Sequence, residues 1–372
     1  METGPTSPDI PPFSDSHDEA DRLAYFQMVY EGFLRAEGKA GTFRRYFDLA
    51  GQTICLRFAG PALIPQVTPA LDHITTGPTP TPSLTICLWD CVSTRTKMPL
   101  LVSSLIHTLQ SGWLDVLSPR REIKGYHSDR IRTIFHYGPS ILTLMDTRQN
   151  LAIYWLHDAE ALPYYEKGYP FTTILNWWME NQELQCVHAA AVGTNEAGVL
   201  LPGKSGSGKS TTALTCLNSA LSFISDDTCV VTCCPQPYAY SLYNTAKLVS
   251  EEDIARLPHL AAKVINPNRI DGEKAMILVN RHYPEKIVKG FPIKAVLTLR
   301  ITGKPETKLQ TATAGAALKA LAPSTILQLP GAGQKALRSI AKLLKQVPCY
   351  VLELGIDQER IPGVILDLLS RL

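Results

Sequence analysis

Apolar positions along this chain change their period part-way. In "DEADRLAYFQMVYEGFLRAEG", Leu23, Phe26, Val29, Tyr30, Phe33 and Leu34 recur at helical spacing, which predicts an amphipathic helix. The runs "TICLRFAG", "LTICLWD", "RTIFHYG", "SILTLMD" and "NLAIYWLHD" have the short apolar pattern of strands. "RQN" at 148–150 separates the last two as a hairpin-like turn, and the Pro/Thr-rich "TTGPTPTPS" at 75–83 reads as a loop. "FTTILNWWMENQ" predicts a helix with two tryptophans. From Cys186 the order becomes strand, strand, loop, helix, strand, which signals α/β architecture. "KAMILVN" and "IKAVLTLRI" follow as strands, and "TAGAALKALA" and "GQKALRSIAKLLKQ" as helices. "CYVLELG" is a further strand, and "IPGVILDLLSRL" the closing helix. Four segments result: a disordered Pro/Ser-rich tail at 1–18, a mostly β α+β domain of unknown role at 19–160, a helical linker at 161–185, and an α/β domain at 186–372.

Composition narrows the function classes. The 372 residues, 45% of them hydrophobic, suffice for one large domain or two ordinary ones with proper cores. A net charge of +2 gives no electrostatic footprint for nucleic acid, and no apolar stretch is long enough to suggest a membrane span. The first residues lack the basic start and apolar core of a signal peptide. The nine cysteines show no disulfide-like spacing, so a cytoplasmic protein with reduced thiols is expected. Cys229, Cys233 and Cys234 lack a second ligand pair at zinc-like spacing and read as small apolar residues of a strand.

Three features carry chemistry. Gly203, Lys204, Ser205, Gly206, Ser207, Gly208, Lys209 and Ser210 fit G-x-x-x-x-G-K-[ST], between a strand-like "AGVLL" and the helix start "KSTTALTCLNSA". The glycines let backbone N–H groups turn inward onto phosphate oxygens. Lys209 is placed to reach the β/γ-phosphates, Ser210 to hold Mg²⁺ and Thr211 to contact a phosphate. "LSFISDD" ends in Asp226 and Asp227, 17 residues after Lys209, and a strand ending in two carboxylates beside a phosphate loop suits metal and base work. His188 in "CVHAAAV" lies 21 residues before Lys209; a lone histidine in such a run is more often a core residue than a catalyst.

Together these features resemble the catalytic domain of the HPr kinase/phosphorylase family, over roughly residues 186–355. The resemblance implies a P-loop kinase domain with a phosphoenolpyruvate carboxykinase-like fold, using ATP and Mg²⁺. It implies Asp226 as general base toward an acceptor hydroxyl, Asp227 with Ser210 as metal ligands, and His188 beside the pair. Lys247 in "NTAKL" and Lys274 in "DGEKA" are further candidates for the γ-phosphate, ahead of Arg281 and Arg300. The chain also departs from that family. Thr211 stands where an acidic residue follows the loop serine, the signature accompanying phosphorylase activity has no match, and the first 160 residues differ. Neither HPr nor the reverse reaction is therefore expected. The expected activity is transfer of the γ-phosphoryl group of ATP to a serine of a protein or precursor peptide. A small-molecule kinase and a non-catalytic nucleotide-binding module are the alternatives. Family members often form oligomers, so the resemblance implies a homo-oligomer.

Overall fold

The computed structural model describes residues 17–98, 116–248, 254, 256–268, 273–328 and 333–372. The chain is mixed α/β and divides into two compact units. The first comprises the described residues up to Arg45, with Cys55–Ile64 and Ser83–Leu162; the second comprises Tyr46–Ile54, Pro65–Pro82 and Pro163–Leu372. The expected tail falls largely outside the described residues. Its end does not fit that expectation: His17 is buried, and the Asp18 side chain accepts from the N–H groups of Ala20 and Asp21 in a capping box. Among the described residues no helix is long and apolar enough to cross a membrane.

In the first unit, helix α1 (Glu19–Ala40) buries Tyr25, Phe26, Val29, Phe33 and Ala36. These pack with Trp89, Phe135, Leu142 and Trp155 of a six-stranded sheet. Its order is β1 (Thr42–Leu49), β2 (Gln52–Ala59), β3 (Leu84–Asp90), β6 (Leu151–Leu156), β5 (Ile141–Asp146), β4 (Ile131–His136). The 148–150 turn joins β5 and β6, with the buried Asp146 carboxylate accepting from the N–H groups of Arg148 and Gln149. Strand β1 has no counterpart in the apolar pattern, because its first four positions are exposed.

The second unit is built on a nine-stranded sheet centred on the long β15 (Gly290–Ile301). One wing runs from β15 through β12 (Tyr238–Tyr240) and β11 (Cys229–Thr232) to β7 (Gln185–Val187). The other runs through β9 (Gly198–Pro202) and β8 (Ala189–Gly193) to β10 (Ser222–Ser225). Strand β17 (Cys349–Leu354) pairs with β15 on its other side and carries β16 (Lys308–Ala312). A separate two-stranded ladder joins β13 (Thr245–Leu248) to β14 (Ala275–Leu278).

Both faces of the large sheet are covered, which explains why β8 and β9 are apolar at every position rather than alternating. Ala190, Val192, Val199 and Leu201 face a core shared with α3 (Lys209–Thr215), the β13–β14 ladder and α6 (Ile361–Leu369). Ala189, Ala191 and Leu200 face the opposite core, shared with α4 (Ala314–Gln328) and α5 (Gln334–Gln346). Helix α5 buries Ala336, Ile340, Leu343 and Leu344, a single stripe at helical spacing. Residues 163–185, expected to form most of a linker, belong to the second unit; there α2 (Thr172–Met179) buries both Trp177 and Trp178.

Candidate active site

Strand direction gathers the candidate residues on one edge. Strands β9, β15 and β17 are mutually parallel, whereas β8 is antiparallel to β9 and β10 antiparallel to β8. The carboxyl ends of β9, β10, β15 and β17 therefore share a rim with the start of β8. The loop at 203–208 follows β9, Asp226 and Asp227 follow β10, and His188 immediately precedes β8. Residues far apart in sequence thus meet where ligands of α/β sheets bind.

A cavity of about 600 Å³ opens at this rim, within the size range of small-molecule sites. His188, Lys209, Ser210, Asp227, Lys247 and Lys274 line its charged end. Ser205, Gly206, Gly208 and Thr211 of the expected loop also line it, as does Thr212, whose buried hydroxyl has no hydrogen-bond partner. Gly203, Lys204 and Ser207 are not among the lining residues. Gly206 and Gly208 have φ of +77° and +95°, conformations that glycine alone adopts without strain. Lys209 is folded back onto the loop, donating to the carbonyls of Gly203 at 2.7 Å and Lys204 at 3.2 Å. Burial lowers its pKa, against the opposing pull of Asp227 and Asp226.

The two aspartates occupy different environments. Asp226 is fully buried and is not a lining residue. Its Oδ1 accepts from the Tyr169 hydroxyl at 3.0 Å and its Oδ2 from the Lys247 N–H at 2.8 Å, and the Ser210 hydroxyl donates to it as well. Burial, reinforced by the Asp227 charge, pushes the Asp226 pKa up to about 6. Asp227 faces the cavity, with His188 Nε2 3.3 Å from Oδ1 and Lys247 Nζ 3.8 Å from Oδ2. Burial alone raises its pKa, but His188, Lys247, Lys274 and Lys209 hold it below the ordinary carboxylate value. Asp226 is thus enclosed behind the cavity, and Asp227 is the carboxylate that meets it.

His188 is buried, and its backbone N–H donates to Thr325 Oγ1 at 3.0 Å. Burial lowers its pKa despite the pull of Asp227, and the three lysines add to the lowering. Its Nε2 is placed as a hydrogen-bonding partner for the Asp227 carboxylate. Lys247 lies on β13 and Lys274 just ahead of β14; the pairing of Leu248 with Ala275 keeps these stretches side by side. Arg281 and Arg300 are not among the lining residues, and Arg300 pairs with Glu353 at 3.2 Å. Ser210 Oγ and the carboxylate of Asp227 are hard oxygen donors on one cavity, a set that suits Mg²⁺.

Several residues at the site carry no motif. Tyr169 holds Asp226 by its hydroxyl and lies under the Lys247 ammonium, 3.5 Å from the ring centroid. Its place depends on a contact across 57 residues, and nothing local marks it. Arg256 and the stretch Leu354–Glu359 also line the cavity. For Leu354–Glu359 a signal existed, since the residues after a strand of a parallel sheet are placed at its ligand-binding edge.

No family model and no curated protein matches this chain. Among solved structures, the Hpr(Ser) kinase/phosphatase from Coxiella burnetii aligns with 50% of this chain and 94% of its own length. The identity is 11% and the TM-score 0.28, below what a shared fold requires.

Proposed function

We propose that the second unit is an ATP-dependent kinase that transfers the γ-phosphoryl group to a hydroxyl, with a serine of a protein or peptide as acceptor. The observation carrying this reading is the approach of His188 Nε2 to Asp227 Oδ1, at 3.3 Å, on the same cavity as Lys209 and Ser210. Phosphoryl transfer asks chiefly for positioning, positive charge on the γ-phosphate and a group to take the acceptor proton. The loop from Gly203 to Ser210 cradles the phosphates, and Lys209 leaves its loop carbonyls to meet them. Lys247 and Lys274 neutralise charge that spreads onto the γ-phosphoryl oxygens. Ser210 and Asp227 are the residues to hold Mg²⁺, which when bound offsets phosphate charge.

The base role falls to Asp227 in this reading, in place of Asp226. The acceptor oxygen forms a bond to Pγ, the bond from Pγ to the β–γ bridging oxygen breaks, and the acceptor proton passes to Asp227. ADP leaves with the electron pair of the broken bond. His188 hydrogen-bonds the carboxylate and fixes its direction. Asp226 stays behind the site, holding Ser210, Tyr169 and the β13 backbone in register.

The test compares Asp227→Asn with Asp226→Asn. After an acceptor is identified by labelled-ATP incubation, Asp227→Asn is expected to slow transfer about 10²- to 10⁴-fold and to weaken Mg²⁺ binding, with metal-free ATP affinity nearly unchanged. Asp226→Asn is expected to weaken Mg²⁺-ATP binding through its lost hold on Ser210. Unchanged turnover in Asp227→Asn overturns the base assignment. Loss of the Mg²⁺ dependence of ATP binding in that variant, with transfer restored at high Mg²⁺, leaves Asp227 the metal role alone.

A further inference from the structure

Beyond the loop the cavity wall carries apolar side chains, set beside Arg256, Asp357, Gln358 and Glu359. Ile301, the last residue of β15, is 62% exposed, and Ile356, just beyond β17, is 69% exposed; both line the cavity. Leu354 and Ile361 extend the same lining, and Gly303 and Gly355 contribute backbone without side chains. This wall begins at the phosphate loop itself: a Cβ placed on Gly208 would lie 2.8 Å from Leu354 Cδ1 and 3.9 Å from Ile301 Cδ1. A ligand with phosphates along the loop therefore meets isoleucine and leucine side chains with its next moiety.

Inorganic phosphate chains gain nothing from such a surface, because their oxygens lose hydration against it without a partner. A flat aromatic ring gains on both counts, removing apolar area from water and filling space beside the loop. We infer that Ile301, Leu354, Ile356 and Ile361 form a wall that packs against the base of a nucleoside triphosphate. The site then selects a nucleotide over an inorganic polyphosphate as phosphoryl donor. This inference rests on the kinase reading and names the residues that the base of its donor meets.

Calorimetric titration of the full chain with Mg²⁺-ATP and with Mg²⁺-tripolyphosphate tests it. The two isoleucines are exposed, so Ile301→Ala/Ile356→Ala leaves the fold intact, as circular dichroism and a thermal melt would verify. The double variant is expected to bind ATP about tenfold more weakly and tripolyphosphate within about twofold of wild type. Equal weakening of both ligands, or unchanged ATP binding, overturns the base wall. Wild type binding tripolyphosphate as tightly as ATP also overturns it, while leaving the phosphate loop standing. Binding of neither ligand overturns the nucleotide site as a whole.

Discussion

Asp226 and Asp227 are neighbours with opposite surroundings, and their ionisation follows from that difference. For Asp226, burial and then the Asp227 charge raise the pKa from 3.8 to about 6. Between those values the folded chain holds a proton that the unfolded chain has released. Stability contributed by this group is therefore present below about pH 4 and lost as pH rises toward 6, by roughly 3 kcal/mol. Asp227 acts in the other sense: burial opposes ionisation, but His188, Lys247, Lys274 and Lys209 outweigh it, so its stabilisation is lost only below the ordinary value of 3.8. Urea melts of wild type and Asp226→Asn at pH 4.5 and 7, with chelator and without nucleotide, separate the two. The stability difference between the proteins should shift by about 2 kcal/mol between those pH values, in favour of the variant at pH 7. Parallel pH slopes would mean that Asp226 titrates as an ordinary carboxylate.

At the scale of elements, the glycine-rich loop at 203–208 depends on two glycines for different reasons. Gly206 has a left-handed backbone in open space, whereas Gly208 has one and also abuts Leu354. Gly206→Ala is expected to lower the unfolding free energy by about 1 kcal/mol from backbone conformation alone. Gly208→Ala should cost about 2 kcal/mol and also weaken ATP binding, because its new methyl group displaces the apolar wall. Urea midpoints and nucleotide titration check both, and equal costs at the two positions would deny the Leu354 contact. Most of these elements were legible in the sequence. Helix α5 and the strand–loop–helix unit at 198–215 have patterns set by their own residues. The edge strand β1 and the short β12 were not, since exposed or very short strands leave no run of apolar residues.

For the whole molecule, the second unit is not a continuous stretch of chain. Its Asn244 is fully buried, donating from Nδ2 to the Pro69 carbonyl at 2.8 Å and from its N–H to the Ala70 carbonyl at 2.9 Å. Ser241 likewise meets His73 Nε2 at 2.7 Å. A fragment starting at residue 163 therefore lacks partners for groups that the full chain keeps satisfied, at about 1–3 kcal/mol for each one left unpaired. Such a fragment is expected to melt well below the full chain and to be cleaved quickly in limited proteolysis. Equal protease resistance would show that residues 46–54 and 65–82 are dispensable to this unit. The domain boundary read from composition missed this, because the apolar pattern records what each segment buries but not which segment covers it.

By itself the sequence determined the glycine-rich loop at 203–208, the helix and strands around it, and the spacing of a histidine and two carboxylates about it. Those features are local, since glycine conformation, side-chain period and motif spacing act over a few residues. The tertiary structure decided which aspartate meets the cavity, what Tyr169 holds, and that Ile301 and Leu354, at the ends of β15 and β17, stand beside the glycine-rich loop. Each of these depends on strand order and burial, which arise only when segments distant in sequence pack together and exclude water.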